Sequence, residues 1–291
     1  IVAGTVVVGG SGGTPLGTGI VSNDGALVFR RDDAFSFINP TVGTGLLRQA
    51  GSGVLSFSNL LAYSGPIVVS SGTLSFARST DITYALAAIS NDATVYCYPS
   101  GNGAVFLGAR LSGSGSIQVD GPGGGAVFQN RVVLRGNGSD HSGAVTVLNN
   151  GRLWLDRSVN AISDVAVVHV STNAGFYLFA AAGSDVWGGY QVAETIGGLT
   201  GSGNVYGQWQ NGAVAPLLTV GGGDVSAAFA GSISEYPGTL AGLKLIKIGS
   251  GTQTLNGAST WSGGITVSNG VLALGHDAAA GIGRVEHHAV G

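Results

Sequence analysis

Three segments of this chain carry the same phrase: Tyr63-Ser64-Gly65 to Phe76, His141-Ser142-Gly143 to Leu155, and Trp261-Ser262-Gly263 to Leu274. Each runs from a ring-bearing residue and Ser-Gly into a short β-branched strand (Ile67-Val68-Val69, Val145-Thr146-Val147, Ile265-Thr266-Val267). A glycine follows (Gly72, Gly151, Gly270), and then an alternating strand. A unit this short cannot bury its own apolar side, so it is stable only with like units stacked on it, which is the logic of a solenoid. Function is then to be sought along the surface of a rod rather than in a closed pocket.

Period-two alternation recurs along the chain, and helical periodicity is nearly absent. The inward sets read as Leu27 with Phe29, Leu55 with Phe57, Leu74 with Phe76, Ile117 with Val119, Leu153 with Leu155, and Leu272 with Leu274. Ser56, Ser75, Gln118, Trp154 and Ala273 then point outward. Gly-Ser-Gly occurs at 51–53, 113–115, 201–203 and 249–251. No helix pattern follows these loops, so phosphate cradles are disfavoured and they read as coil corners, where a backbone must turn sharply or approach another closely. The middle phrase carries one residue more between its glycines than the other two, which predicts a bulge or a wider turn there. The stretch 159–190 fits the phrase least well and is expected to be irregular or loop-bearing. Asn-Gly dipeptides at 150–151, 211–212 and 269–270 keep an antiparallel sandwich or propeller open. Repetition of like strands favours parallel stacking.

Glycine supplies 53 of 291 residues and charged residues only 9%, while 44% are apolar, so the chain is expected to fold as one domain, 1–291. Net charge is −3 with no basic cluster, which argues against a nucleic-acid partner. The apolar runs are too short to span a bilayer as helices, so no direct membrane insertion is expected. The single cysteine, Cys97, reads as a small buried hydrophobe in a strand.

Leu46-Leu47-Arg48-Gln49-Ala50-Gly51-Ser52-Gly53-Val54-Leu55-Ser56-Phe57, followed by Tyr63-Ser64-Gly65 and Gly72-Thr73-Leu74, resembles the autotransporter-associated β-strand repeat of secreted bacterial passenger regions. Leu245-Ile246-Lys247-Ile248-Gly249-Ser250-Gly251, then Leu255-Asn256-Gly257 and Thr260-Trp261-Ser262-Gly263-Gly264, is similar to a second copy, with Gln253 standing where the first has inward Leu55. The resemblance implies a right-handed parallel β-helix, export to the bacterial cell surface or beyond, and a structural or adhesive role. It contributes no catalytic positions. About 24 residues per coil predicts roughly a dozen coils and a rod on the order of 55–60 Å long. Both ends read as falling inside a repeat phrase, which predicts continuation into further coils or end-to-end stacking with another copy.

Candidate chemistry is sparse. Asp32-Asp33 is the only adjacent carboxylate pair and reads as a solvated turn. Glu194, Glu235 and Glu286 are isolated, and Lys244 and Lys247 fall on opposite strand faces. Glu286-His287-His288 alternates in direction and lacks an evident third ligand, so no metal and no cofactor are expected. His141 occupies the slot of Tyr63 and Trp261 and reads as an outer or corner ring. The aromatic residues Trp187, Tyr190, Tyr206 and Trp209, set among Gly, Gln and Asn, are the surface-binding candidate, for a glycan or a cell-surface partner. The expected function is a non-enzymatic extracellular adhesin-like rod that can also associate with itself. The alternatives are a carbohydrate-active β-helix hydrolase or lyase, and a phage-type fibre.

Overall fold

A computed structural model of the chain describes residues 1–57, 62–101, 103–123, 129–156, 160–180, 192–209, 214–236 and 242–287. Its strands are short because each covers one side of a coil before the chain turns a corner. All strand pairings among the described residues are parallel, each strand lying in register over that of the preceding coil. The result is a parallel β-solenoid. An eleven-stranded sheet, from Ala34–Phe37 to Val271–Leu274, runs through it as a spine and counts about eleven turns. A six-stranded sheet (Thr5–Gly9 to Arg110–Ser112) forms a second side early in the chain, and a five-stranded sheet (Ala193–Ile196 to Val285–His287) takes that side late. The third side is a three-stranded sheet followed by a seven-stranded sheet, Ile82–Tyr84 to Ser232–Glu235. Within the stretch 159–190, Val167–Val170 and Gly175–Ala180 are in-register strands of the coil, and 181–191 lie outside the described residues.

Alternation decides what the interior holds. Leu27, Phe29, Leu55, Phe57, Leu74, Phe76, Ile117, Val119, Leu153 and Leu155 are all buried, as their inward reading requires. Phe37, Phe57 and Phe76 follow one another along the core, with ring centroids 5.8 and 6.5 Å apart. Cys97 sits in the same column, fully buried, and burial pushes its thiol up to about 12. Leu272 and Leu274 are the exception among the inward pairs, being half-buried and exposed, because no described strand of the eleven-stranded sheet lies beyond theirs. Ser75 and Trp154 point outward but are buried, so direction and exposure part company at these two positions.

The corners explain the glycines. A Cβ at Gly51, Gly113, Gly201 or Gly249 would come within 3 Å of the backbone of the preceding coil. In three of these four triplets the middle residue meets an aspartate one coil back, while Ser202 meets the Thr172 hydroxyl at 2.7 Å. Ser52 donates from its amide (3.1 Å) and hydroxyl (2.7 Å) to Asp32, Ser114 from its amide to Asp92 (3.2 Å), and Ser250 from its amide to Asp224 (2.6 Å). Gly43-Thr44-Gly45 repeats the device, with the Thr44 amide 3.1 Å from Asp24. These hydrogen bonds hold the Asp32 and Asp224 carboxyls below the usual carboxylate range. Asp32-Asp33 is thus a corner, with Asp33 turned to an ion pair with buried Arg31 at 2.6 Å. The extra residue of the middle phrase is taken up by a wider turn, where Asn149 adopts φ 44 and the Gly151 amide reaches back to the Leu148 carbonyl.

Coil length varies without breaking the stack. Val54 lies beside Thr73, whereas Val168 lies beside Leu199, so a turn takes between nineteen and thirty-one residues. Where the ladder is interrupted, a side chain replaces the backbone. Beside the detour through the short 3-10 turn at Gly222–Asp224, Leu199 pairs with Val168 on one side; on the other, only Gly201 pairs with Phe229 and Leu199 has no ladder partner. The Gln253 amide supplies one, donating to the Leu199 carbonyl and accepting from its N–H, both at 3.0 Å.

Backbone contact at the corners predicts a sharp contrast between two glycines. Gly51→Ala should lower stability by about 2–3 kcal/mol, because the new methyl meets main chain and not a movable side chain. Gly19→Ala, with open space around it and no left-handed φ, should change stability by less than about 0.5 kcal/mol. Urea unfolding followed by circular dichroism checks both.

Candidate functional site

The outward side of the seven-stranded sheet carries an aromatic ladder that sequence spacing did not reveal. Register places Phe106, Val133, Trp154, Tyr177, Tyr206 and Ser234 in one row, one residue per coil. Trp154 and Tyr177 stack at 5.0 Å, and Tyr177 and Tyr206 at 4.8 Å, with interplanar angles of 20° and 23°. Tyr236 closes the row edge-on to Tyr206 at 6.1 Å. The spacing of the rings is that of the strands beneath them, so the ladder is a direct product of coil stacking.

Two guanidinium groups sit on this ladder. Arg131 lies 5.5 Å from the Phe106 ring and 5.5 Å from that of Trp154, and Arg135 lies 4.4 Å over Phe106. Arg135 is tied to buried Asp156 at 2.8 Å. Trp154, Tyr177 and Phe179 are buried, so the lower ladder is a second hydrophobic cluster outside the solenoid wall, while Tyr206 and Tyr236 are only half-buried at its upper end. Burial raises the Tyr206 phenol, with the neighbouring Tyr236 adding to the shift.

Of the four aromatic residues expected to bind at the surface, Tyr206 therefore stands in the ladder. Trp187 and Tyr190 lie outside the described residues, and Trp209 ends the Asn204–Trp209 strand, with only its backbone described. The ladder's other members, Phe106, Trp154, Tyr177 and Tyr236, are far apart in sequence and are brought together by register alone. A signal was present: an aromatic at an outward position in each of several alternating strands.

The titratable groups named from sequence are mostly spoken for. Tyr63, His141 and Trp261 all point into the corner and are buried. The Tyr63 hydroxyl donates to the Gly45 carbonyl, and the His141 Nε2 lies 2.6 Å from the Gly115 carbonyl. Lys247 is turned inward, where its Nζ donates to the carbonyls of Ile248, Gly249 (2.9 Å) and Asn269 (3.4 Å). Gln49, its counterpart in the earlier repeat, donates in the same way to Gly51 and Gly53. Glu235 accepts from Gly242 and from both the amide and the hydroxyl of Ser262. Among the described residues, no group of three or more His, Cys, Asp or Glu could hold a metal ion. The His287 side chain and His288 lie outside them.

Glu194 points inward and is almost wholly buried, its carboxylate oxygens accepting from the amides of Ala161 (3.1 Å) and Ile162 (2.7 Å). Burial pushes its carboxyl up to about 8, from an ordinary 4.5, against the pull of those two amides. Between these values the folded state holds a proton that the unfolded chain has lost, so stability should fall as pH rises through that window. Glu194→Gln should flatten the slope, read from urea midpoints at a series of pH values. For the ladder, Trp154→Ala should cost about 3–5 kcal/mol. Hydrogen exchange should rise first in the Arg131–Leu134 and Gly175–Ala180 strands on either side, because a solenoid loosens locally.

The described residues contain no helix long and apolar enough to cross a membrane. No solved structure matches the chain. Among curated proteins, it is 28% identical over 223 residues to "Uncharacterized protein YuaQ" of Escherichia coli (strain K12), a match that covers 68% of this chain and 16% of the relative. The chain thus spans less than a fifth of that protein's length. The family model described as passenger-associated-transport-repeat matches residues 47–76 and 245–274. The two copies build equivalent parts of two coils: Leu46–Gln49 with Val54–Phe57 in one, Lys244–Lys247 with Thr252–Leu255 in the other. The chain is a solenoid that carries the passenger-associated-transport repeat at two places, in agreement with the autotransporter-associated repeat that its sequence resembles.

Proposed function

We propose that this chain is a non-enzymatic segment of an extracellular bacterial surface passenger, a rod that works by presenting its sides for adhesion and its ends for stacking. The observation that carries this reading is the eleven-strand spine with a match to a passenger repeat near each of its ends. A stack of parallel coils grows by adding coils at either end, whether from the same chain or from a second copy. The outermost coils expose apolar side chains beside open strand edges: Val7 and Ile38 at one end, Val271, Leu274 and Val285 at the other.

Many of the carboxylates are taken up in holding the coils together, which favours a structural reading. Asp32, Asp92 and Asp224 serve corners, Asp33, Asp140 and Asp156 pair with arginines, Glu194 is buried, and Glu235 holds the backbone of a neighbouring coil. A glycosidase needs two carboxyl groups converging on an open groove, one of them free to carry a proton.

Sedimentation velocity and electron microscopy of the purified chain test the stacking. End-on oligomers that lengthen with concentration are expected, and Val271→Lys with Leu274→Lys should shorten them by placing charge on the edge strand. A monomer at every concentration would remove the self-association part of the reading, and a closed trimer would favour a phage-type fibre. Loss of adhesion when the segment is deleted from the surface-displayed protein is the corresponding expectation for the sides, and unchanged adhesion would count against them.

A further inference from the structure

The five-stranded sheet carries a groove on its outward side, and its origin lies in one residue. The three repeat phrases place Pro66, Ala144 and Gly264 at the same position, directly before the β-branched strand. In the first two a side chain stands there. Gly264 leaves it bare, with φ +85 and its missing Cβ pointing to within 2.7 Å of the Arg284 carbonyl, so that a larger residue is both strained and obstructed. Leu245, Ile265 and Val285 pair in register across three coils, which puts Lys244, Gly264 and Arg284 in line one step earlier. Ile246, Thr266 and Glu286 form the adjoining outward row, and Leu217 closes the far end beside Lys244. The cavity is about 450 Å³ and open on one side.

Its charge is unbalanced. Arg284 and Glu286 face each other at 3.4 Å, both well exposed, a pairing that water competes with readily. Lys244 has no carboxylate within ion-pair distance among the described residues, and Glu235, on the preceding side of the coil, is committed to Gly242 and Ser262. Two cations therefore stand at the two ends of a gap made by a glycine, two coil steps or ~10 Å apart along the rod. Between them lies a floor of backbone, the Ile246 side chain and the Thr266 hydroxyl. A shallow floor of this kind suits a flat polyhydroxylated ring lying on it, and the flanking cations suit a carboxylate on that ring.

We infer that the groove around Gly264 binds an acidic saccharide of the uronic-acid class, held by Lys244 and Arg284. This deepens the adhesive half of the function proposed above and rests on it. The groove opens sideways, but Arg284 and Glu286 adjoin Val285 on the edge strand of the sheet, whereas Lys244 lies two coils further in and away from that end.

The probe is a short oligogalacturonate, titrated calorimetrically into the purified chain, with its methyl-esterified, uncharged form as the comparison. Binding should be at least tenfold tighter for the acid than for the ester. Lys244→Gln should weaken it about tenfold, the loss of one charge-assisted hydrogen bond, and Lys244→Gln with Arg284→Gln should weaken it further. Both residues are exposed, and an unchanged circular dichroism spectrum and urea midpoint would establish that the variants fold. Equal affinity for acid and ester, wild-type affinity in the double variant, or no binding at millimolar ligand would each overturn the assignment. So would equally tight binding of a sulfated oligosaccharide of the same length, which would mark a general anion site. Sedimentation of the wild-type chain separates the two readings: no saccharide binding with intact end-on association counts against the ligand alone, whereas loss of both counts against the proposed function as well.

Discussion

Coil lies on coil with backbone against backbone at the corners, and everything else in this protein is arranged around that contact. Parallel ladders fix the separation of successive coils along the sides, and the corners must keep to the same separation while the chain changes direction. The margin there is so small that a methyl group on Gly51 would run into the main chain of Arg31. Three of the four Gly-Ser-Gly corners are then secured by an aspartate acceptor from the coil before, as Asp32 beneath Ser52 and Asp224 beneath Ser250. The Gly-Ser-Gly triplet and the aspartate some twenty residues earlier are thus one device split between two coils.

A stack held in this way tolerates irregularity, provided that buried backbone groups still find partners. Gln253 stands in for a missing ladder partner of Leu199, and Gln49 and Lys247 satisfy corner carbonyls from inside the core. The most apolar-looking position in the earlier repeat, that of Leu55, can therefore become a glutamine in the later one without leaving an unpaired amide. Gln49, Glu194, Lys247 and Gln253, polar residues turned into this interior, are all bound to main chain.

The features that differ from coil to coil lie outward. Sides of the rod differ from one another because outward residues are released from the demands of the core. One side has assembled rings into a ladder from Phe106 to Tyr236, and another has been opened by Gly264 between two cations. Neither feature belongs to a single repeat. Both arise from residues in successive coils that share a register position.

Much of this was legible from the chain itself. Repetition of the aromatic-Ser-Gly phrase, strict alternation and Gly-Ser-Gly corners determined an all-β solenoid, its inward residues and the burial of Cys97, because a strand's two faces follow from parity and a glycine's place from its lack of a Cβ. What parity could not decide was which outward residues meet. Trp154 was correctly turned away from the core yet is buried, since Tyr177 and Phe179 of the next coil cover it. Tyr206 joined partners up to a hundred residues away, and Lys244 came into line with Arg284 across a coil that places a glycine at that register position. Coil lengths from nineteen to thirty-one residues make such neighbours unpredictable by counting. Only the realised register, set by hydrogen bonds between coils of unequal length, brings them together.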